Sequence, residues 1–123
     1  LVRAGLASSR PRFVGVQPEA CAPVVSAWKK RPFEGSLGHS LAEGTLVSQP
    51  ARAAEILGML DRDIDQLVSL SETEIGAAHR SLIHAGCYVE ATSAMVLAST
   101  RLVDDVPGKS VLILSGSGLK SID

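Results

Sequence analysis

The stretch IDQLVSLSETEIGAAHRSLIHAG, residues 64–86, decides the fold class of this chain. It opens with residues 64–70, a short stretch of the length typical of a β-strand, in which Ile64, Leu67, Val68 and Leu70 are apolar. Ser71 and Glu74 follow as an S-x-x-E pattern, in which the Ser hydroxyl and the Glu carboxylate each satisfy a free amide at the start of a helix. The residues predicted to share one face of that helix are Ile75, Ala78, His79, Leu82 and Ile83. Gly86 suits the helix end, so the pattern predicts a strand that leads into a capped helix.

Strand and helix patterns alternate on both sides of this unit. Further strands are predicted at residues 12–17 and 110–114. Four further helices are predicted. The first ends within residues 1–7, and the last spans residues 92–103. Between them, one helix carries the apolar stripe Cys21, Val24, Val25 and Trp28, and another begins at Pro50 with Ala53, Ile56, Leu57 and Leu60 on one face. Residues 31–44 are rich in Gly and Ser and are predicted to form a loop that faces a ligand or a neighbouring domain. Three strands separated by helices predict an α/β fold, an open three-layer arrangement in which a mainly parallel sheet carries helices on both faces.

The length and composition restrict the chain to one globular domain, residues 1–123. Hydrophobic residues make up 46% and charged residues 20% of the sequence, which is too apolar for a disordered chain. Twelve basic and thirteen acidic side chains leave a formal net charge of -1, so no strong attraction to nucleic acid or to an anionic membrane is expected. The apolar stretches fall short of the roughly 20 residues that a membrane span needs. We therefore expect a soluble protein with neither nucleic acid nor membrane as a partner.

The spacings of cysteine and histidine argue against a disulfide framework and a metal site. Cys21 and Cys87 lack a C-x-x-C spacing, which predicts reduced thiols, buried as small hydrophobic side chains, in a cytoplasmic protein. His79 and His84 stand five residues apart, about 140° around a helix, so they cannot share a metal as residues four apart can. We expect no metal and no catalytic base among the histidines.

Two features are candidates for a ligand site. The SGSG sequence at residues 115–118 follows the predicted strand 110–114 directly, and ligands of open α/β sheets collect at the carboxyl ends of strands. These four residues can also form a flexible turn, and they match neither a dinucleotide fingerprint nor a Walker A loop. Glu90 precedes the predicted helix 92–103, where its carboxylate can either interact with the positive helix end or lie over a cofactor. The residues alone leave both choices open.

Four segments carry a family resemblance: RFVGVQPEA (12–20), LAEGT (41–45), SETEIGAAHRSLIHAGCYVEATSAMVLAST (71–100) and SVLILSGSGLK (110–120). In order and spacing, over residues 13–120, they resemble the C-terminal part of fold-type II pyridoxal-phosphate enzymes, especially threonine synthase. The ending SGSGLK is similar to the TGHGLK ending of threonine synthases, with Ser117 where His is often found. Dehydratases of the same superfamily more often end in an SGGN-like sequence.

The resemblance implies pyridoxal phosphate as the cofactor and three residues that bind it. Ser115 would hydrogen-bond the pyridine nitrogen through a neutral hydroxyl, which does not force that nitrogen to stay protonated and so favours elimination or replacement over transamination. Gly116 would let the cofactor approach the backbone, and Glu90 would lie close to the same ring. Residues 42–44, Ala-Glu-Gly, would border the site from the long loop.

The resemblance also implies that the chain holds part of an enzyme. The family's Schiff-base lysine and its Gly-rich phosphate loop have no counterpart in the matching segments. The lysines considered for that role fall at positions unlike that of the family's lysine: Lys29, Lys30, Lys109 and Lys120. We therefore expect residues 1–123 to be the C-terminal fragment of a larger enzyme, inactive alone, whose partner is the missing N-terminal part. No catalytic residue is assigned within the chain.

Three hypotheses about function follow. The first is a threonine synthase-like lyase of threonine biosynthesis, which converts an amino-acid substrate, O-phosphohomoserine, to threonine by a β,γ-replacement that releases phosphate. The second is a relative with other chemistry, either a threonine or serine dehydratase-type lyase or a cysteate synthase-like enzyme. The third is a non-catalytic module that self-associates as a homodimer through surface that the rest of the enzyme would cover.

Overall fold

The strand and helix patterns produce a small α/β structure, described by a computed structural model over residues 2–36, 38–103 and 108–121. Its strands and α-helices in chain order are β1 (Val14–Pro18), α1 (Pro23–Trp28), α2 (Ala53–Met59), β2 (Gln66–Leu70), α3 (Glu72–His84) and α4 (Ala91–Ser99). Short 3-10 helices lie at Glu19–Cys21, Glu43–Thr45 and Gly118–Ser121. Over these described ranges, no helix is long and apolar enough to cross a membrane.

Strands β1 and β2 form a parallel sheet. They pair in register, with Val14–Pro18 opposite Gln66–Leu70. Helices α1 and α2 lie between them in the chain, as the crossover of a parallel pair requires. Gly15 stands opposite Leu67, and a Cβ at position 15 would meet the end of the Leu67 side chain, which would have to shift.

Helices pack on both faces of the sheet, which confirms the α/β fold class and the predicted layer order. Leu67 and Leu70 point to opposite faces because side chains alternate along a strand. The buried cluster on the Leu70 face, with α3 and α4, comprises Ala42, Leu70, Ile75, Ala78, Leu82, Val89, Ala94, Met95 and Ala98. The cluster on the Leu67 face, with α1 and α2, comprises Ala22, Val24, Val25 and Leu67, against which Trp28, Ala53, Leu57 and Leu60 pack. Within the described residues the sheet has two strands, fewer than the pattern predicts.

Helix α3 begins at the predicted capping box. The Glu74 amide donates to Ser71 Oγ at 3.4 Å, and the Ser71 amide donates to Glu74 Oε2 at 2.8 Å. The Ser71 hydroxyl donates to the same carboxylate oxygen at 2.7 Å. Because these hydrogen bonds stabilise the charged carboxylate, they lower the pKa of Glu74. Beyond the helix, Gly86 has a φ of 81°, the left-handed conformation expected of a residue at this position.

A buried ion pair joins the segments that lead into the two strands. The Asp65 side chain is fully buried, and its two oxygens accept hydrogen bonds from Arg10 Nη1 at 3.1 Å and Arg10 Nη2 at 2.9 Å. The backbone amides of Phe13 and Asp61 also donate to it, at 2.8 and 2.9 Å. The hydrogen bonds from Arg10, followed by those from the two amides, outweigh the effect of burial and lower the pKa of Asp65 from 3.8 to about 2.

The predicted strand at residues 110–114 is wrong. These residues form no strand, and Val111 and Ile113 are 86% and 74% exposed. An apolar run of this length is compatible with a buried strand, but it becomes one only when another strand pairs with it. None of the described elements provides that pairing, so the sequence pattern predicted one strand too many for the described residues.

Three further predictions also require correction. Cys21 is buried as predicted, and burial raises the pKa of its thiol, but Cys87 is exposed because it lies beyond the end of α3. Residues 2–5 form a turn instead of a helix end. Helix α4 stops at Ser99, whose hydroxyl bonds the Val96 carbonyl at 2.9 Å and so competes with continued helix. The other predicted strands and helices are present, with their ends moved by a few residues.

Candidate functional site

An open cleft of about 840 Å³ lies between the loop of residues 39–44, helix α3 and the start of α4. The residues that line it are His39, Ser40, Leu41, Glu43, Gly44, Glu72, His79, Glu90, Ala91 and Thr92. The loop is attached to α3 because the Leu41 amide donates to Glu72 Oε2 at 2.8 Å. Its next turn is closed by the Thr45 hydroxyl, which donates to the Ala42 carbonyl at 2.7 Å. The loop predicted to face a ligand or a neighbouring domain therefore faces a cavity.

Glu90 and Gly116 meet where helix α4 begins. The Glu90 amide donates to the Gly116 carbonyl at 3.1 Å, and the Gly116 amide donates to Ser93 Oγ at 2.8 Å. A Cβ at position 116 would lie 2.5 Å from Glu90 Oε2 and 3.2 Å from Ser93 Oγ, so the Glu90 carboxylate occupies the space that a side chain would need. The Glu90 side chain makes no capping hydrogen bond to α4. The sequence left two roles open for Glu90, an interaction with the end of the helix or a position over a cofactor. The structure does not show a capping hydrogen bond from its side chain.

A short antiparallel bridge holds the SGSG loop, residues 115–118, against the segment that leads into α4. Val89 pairs with Ser117, and the Gly118 amide donates to the Tyr88 carbonyl at 3.2 Å. A Cβ at position 118 would lie 2.8 Å from the Val89 carbonyl oxygen, so the close approach depends on a second glycine. The SGSG loop is thus anchored by backbone hydrogen bonds, unlike a flexible turn.

The structure brings together most of the residues singled out in the sequence. Glu90 and Gly116 are in contact, and the loop that contains residues 42–44 lies on the other side of the same cleft. A Cβ at Gly44 would lie 3.4 Å from Thr92 Oγ1, at the first turn of α4. Ser115 precedes Gly116 and is exposed, outside the described lining of the cleft.

The lining of the cleft is acidic. It includes the carboxylates of Glu43, Glu72 and Glu90, and its described part contains neither Lys nor Arg. Glu72 Oε1 is buried without a hydrogen-bond partner, although Oε2 of the same carboxylate binds the Leu41 amide. Such an atom can accept a hydrogen bond from a ligand. Among the described residues, no group of three or more His, Cys, Asp and Glu side chains is placed to hold a metal ion.

Sequence reasoning missed two polar residues that shape this site. Ser93 is buried, and its hydroxyl accepts the Gly116 amide, while Glu72 connects α3 to the loop. The signal for Ser93 was present, because a Ser in the first turn of an otherwise apolar helix needs a hydrogen-bond partner when buried. Glu72 looked like a helix-start carboxylate, and no local pattern predicts its contact with a loop some thirty residues away.

Comparison with known proteins shows the family to which the chain belongs. Residues 2–116 match the family described as pyridoxal-phosphate dependent enzymes. A search of curated proteins found no match. The matched range includes both strands, all four α-helices, the cleft loop and Gly116. Members of the family bind pyridoxal phosphate and act on small molecules. Since the match spans nearly the whole sequence, the chain belongs to the pyridoxal-phosphate dependent enzyme family.

Proposed function

We propose that the chain is the cofactor-binding C-terminal portion of a threonine synthase-like enzyme, which converts O-phosphohomoserine to threonine and releases phosphate. Pyridoxal phosphate supplies an electron sink when it is bound. The observation that carries the proposal is the contact between the Glu90 carboxylate and the Gly116 backbone at the cleft. The ending SGSGLK favours a threonine synthase over a dehydratase.

The residues near this contact fit the ring of the cofactor. The SGSG loop is held in place by the bridge at Val89 and Ser117, and the Glu90 carboxylate fills the space beside Gly116, so it is the Glu90 and Ser115 side chains that can meet a ring here. Ser115 adjoins this anchored backbone and its hydroxyl is exposed, free to meet a ring nitrogen as donor. The Glu90 carboxylate lies beside the same backbone. In the proposal, Ser115 and Glu90 orient the ring from one side.

The same residues do not fit the phosphate of the cofactor. The described lining of the cleft carries the carboxylates of three glutamates and neither Lys nor Arg, the residues that usually bind a phosphate. Lys29 and Lys30 follow α1, which packs on the opposite face of the sheet from α3 and α4. We therefore propose that another part of the enzyme supplies the phosphate-binding loop and the Schiff-base lysine.

Binding at the ring end can be tested with 4-deoxypyridoxine, an analogue that has neither the aldehyde nor the phosphate, so it forms no Schiff base and presents only the ring. We expect the backbone amide resonances of Glu90, Ser93 and Gly116 to shift in a ¹⁵N NMR titration, while that of Ser26 in α1 stays unchanged. Glu90→Gln should weaken the response about three- to tenfold, because it removes a charged hydrogen-bond acceptor beside the ring. Glu34→Gln, a change at an exposed loop residue, is the matched control.

Two results would contradict the proposed site. One is the absence of any shift at these amides up to millimolar analogue. The other is an equal shift with inorganic phosphate alone, which would place the response at an anion site and not at a ring site.

The reaction itself is tested on the enzyme that contains this chain. A threonine synthase-like enzyme should release phosphate from O-phosphohomoserine and form threonine in equal amounts. Release of ammonia and a keto acid from threonine or serine, without phosphate release, would replace the proposal with a dehydratase.

The exposed apolar segment of residues 110–114 supports a second candidate, a module that self-associates. Val111, Leu112, Ile113 and Leu114 are all exposed, and apolar surface of this kind favours association. Sedimentation of the chain over a range of concentrations tests it. A strictly monomeric, folded chain would remove this candidate and leave the first proposal untouched.

A further inference from the structure

His79 connects helix α3 to the segment that enters α4. Its side chain lies on the half-buried part of α3 that faces the cleft, and its Nε2 is 2.8 Å from the Val89 carbonyl oxygen. A carbonyl oxygen only accepts hydrogen bonds, so Nε2 carries a proton and donates it.

The Val89 carbonyl depends on this donor because the bridge to the SGSG loop does not use it. The bridge is made by the Tyr88 carbonyl, which accepts from the Gly118 amide, and by the Glu90 amide, which donates to the Gly116 carbonyl. The carbonyl between them bonds to His79. Since Val89 is buried, its carbonyl needs a protein partner when water is excluded.

The orientation of the Val89 peptide also controls how closely the loop can approach. A Cβ at Gly118 would lie 2.8 Å from the Val89 oxygen and 3.0 Å from its carbonyl carbon, so the loop backbone packs directly on this peptide. A rotation of the peptide would change the positions of the two bridge hydrogen bonds on either side of it. The same rotation would move Glu90, the next residue, relative to Gly116.

We infer that His79 is a positioning residue: by donating to the Val89 carbonyl it holds the bridge between residues 88–90 and 116–118, and so keeps the Glu90 carboxylate beside Gly116. This inference rests on the proposed function for the part that concerns the cofactor. The part that concerns the bridge stands on the hydrogen bonds alone. His79 does not itself enter the chemistry in this assignment.

Three variants separate the hydrogen bond from the packing of the ring. His79→Leu removes the donor and keeps an apolar side chain of similar reach. His79→Gln restores an amide N–H near the position of Nε2. His84→Leu is the matched control, because His84 lies in the last turn of the same helix and is exposed.

The first readout is hydrogen exchange of individual amides in the chain without cofactor. His79→Leu should speed exchange at the Glu90 and Gly118 amides about tenfold, the factor that corresponds to one lost hydrogen bond. The Ser26 amide, bonded to the Ala22 carbonyl in the helix α1 region, should keep its rate. His79→Gln should return both bridge amides to near the original rates, and His84→Leu should leave them unchanged.

The second readout is the response to 4-deoxypyridoxine at the Gly116 amide. We expect His79→Leu to weaken the response of the Gly116 amide by about the same factor by which it accelerates hydrogen exchange. His79→Gln should restore the response. The inference is overturned if His79→Leu and His84→Leu give the same exchange rates at Glu90 and Gly118, or if both bridge amides and Ser26 accelerate together. If the unmodified chain shows no response to the analogue, the proposed function fails, and the exchange data still decide whether His79 holds the bridge.

Discussion

Replacing the buried Asp65 with asparagine should cost stability in a way that depends on pH. In the folded chain the Asp65 carboxylate accepts two hydrogen bonds from Arg10 and one each from two backbone amides, of Phe13 and Asp61. Asparagine keeps one acceptor oxygen but places an NH₂ group against one or more of these donors. Arg10 remains 34% exposed and stays partly hydrated, so we expect a loss of about 2–3 kcal/mol at pH 7, below that of a fully buried broken pair.

The pH dependence follows from the pKa of Asp65, which is lowered from 3.8 to about 2. A carboxyl group whose pKa is lower in the folded state contributes stability above its unfolded pKa, and this contribution is lost as the pH falls through its folded pKa. At about 1.4 kcal/mol for each pKa unit, the contribution is about 2.5 kcal/mol. The difference in unfolding free energy between the original chain and Asp65→Asn should therefore narrow by about this amount between pH 5 and pH 2.

Urea unfolding followed by circular dichroism at pH 7, 5, 4, 3 and 2 measures this difference. Other carboxylates also titrate in this range, and comparison of the two chains at each pH removes their common effect. Asp61→Asn is the control, because Asp61 is 46% exposed and lies 3.9 Å from Arg10, and its stability difference should be small and almost independent of pH. A gap for Asp65→Asn that stays constant from pH 7 to pH 2 would refute the assigned lowering of the pKa.

Two further predictions concern glycine packing and thiol exposure. Gly116→Ala should lower the free energy of unfolding by about 1–3 kcal/mol and weaken the analogue response, because its Cβ would meet the Glu90 carboxylate at 2.5 Å. The control is Gly58→Ala in α2, whose Cβ meets no atom within 4 Å. This change should raise the free energy of unfolding by about 0.5–1 kcal/mol. Equal effects of the two changes in urea unfolding would contradict the contact. Iodoacetamide should modify the exposed Cys87 in the folded chain and the buried Cys21 only after denaturation, as mass spectrometry of the labelled peptides can show; early labelling of Cys21 would contradict its burial.

Local sequence patterns predicted those parts of the fold whose causes are local. The capping box at Ser71 and Glu74 and the glycine after α3 involve residues three or four apart, so their hydrogen bonds could be worked out from spacing. The apolar run at residues 110–114 failed for the opposite reason. Whether such a run becomes a strand depends on a partner strand elsewhere, and an exposed run has the same composition as a buried one.

In the candidate site, too, local sequence features could be predicted, whereas contacts between distant residues could not. Glu90 and Gly116 were named from the resemblance, but the contact between them joins segments 26 residues apart in the chain, and no spacing pattern indicates that the two meet. Ser93 and His79 supply the polar atoms that receive or hold this backbone. Their types alone are compatible with many other roles, so only the packing of α3 against α4 reveals the role that they have.

The sequence by itself determined the class of fold and the boundaries of the capped helix α3, because alternating strand and helix periods and a spaced capping pair are properties of neighbouring residues. The family followed from the resemblance of four segments, and the match over residues 2–116 confirms it. The tertiary structure alone decided which residues surround the cleft, that Asp65 is buried against Arg10, and that residues 110–114 lie exposed. These features depend on distances between residues far apart in the chain. Such distances follow from how helices α3 and α4 and the two strands pack together, and no local pattern specifies them.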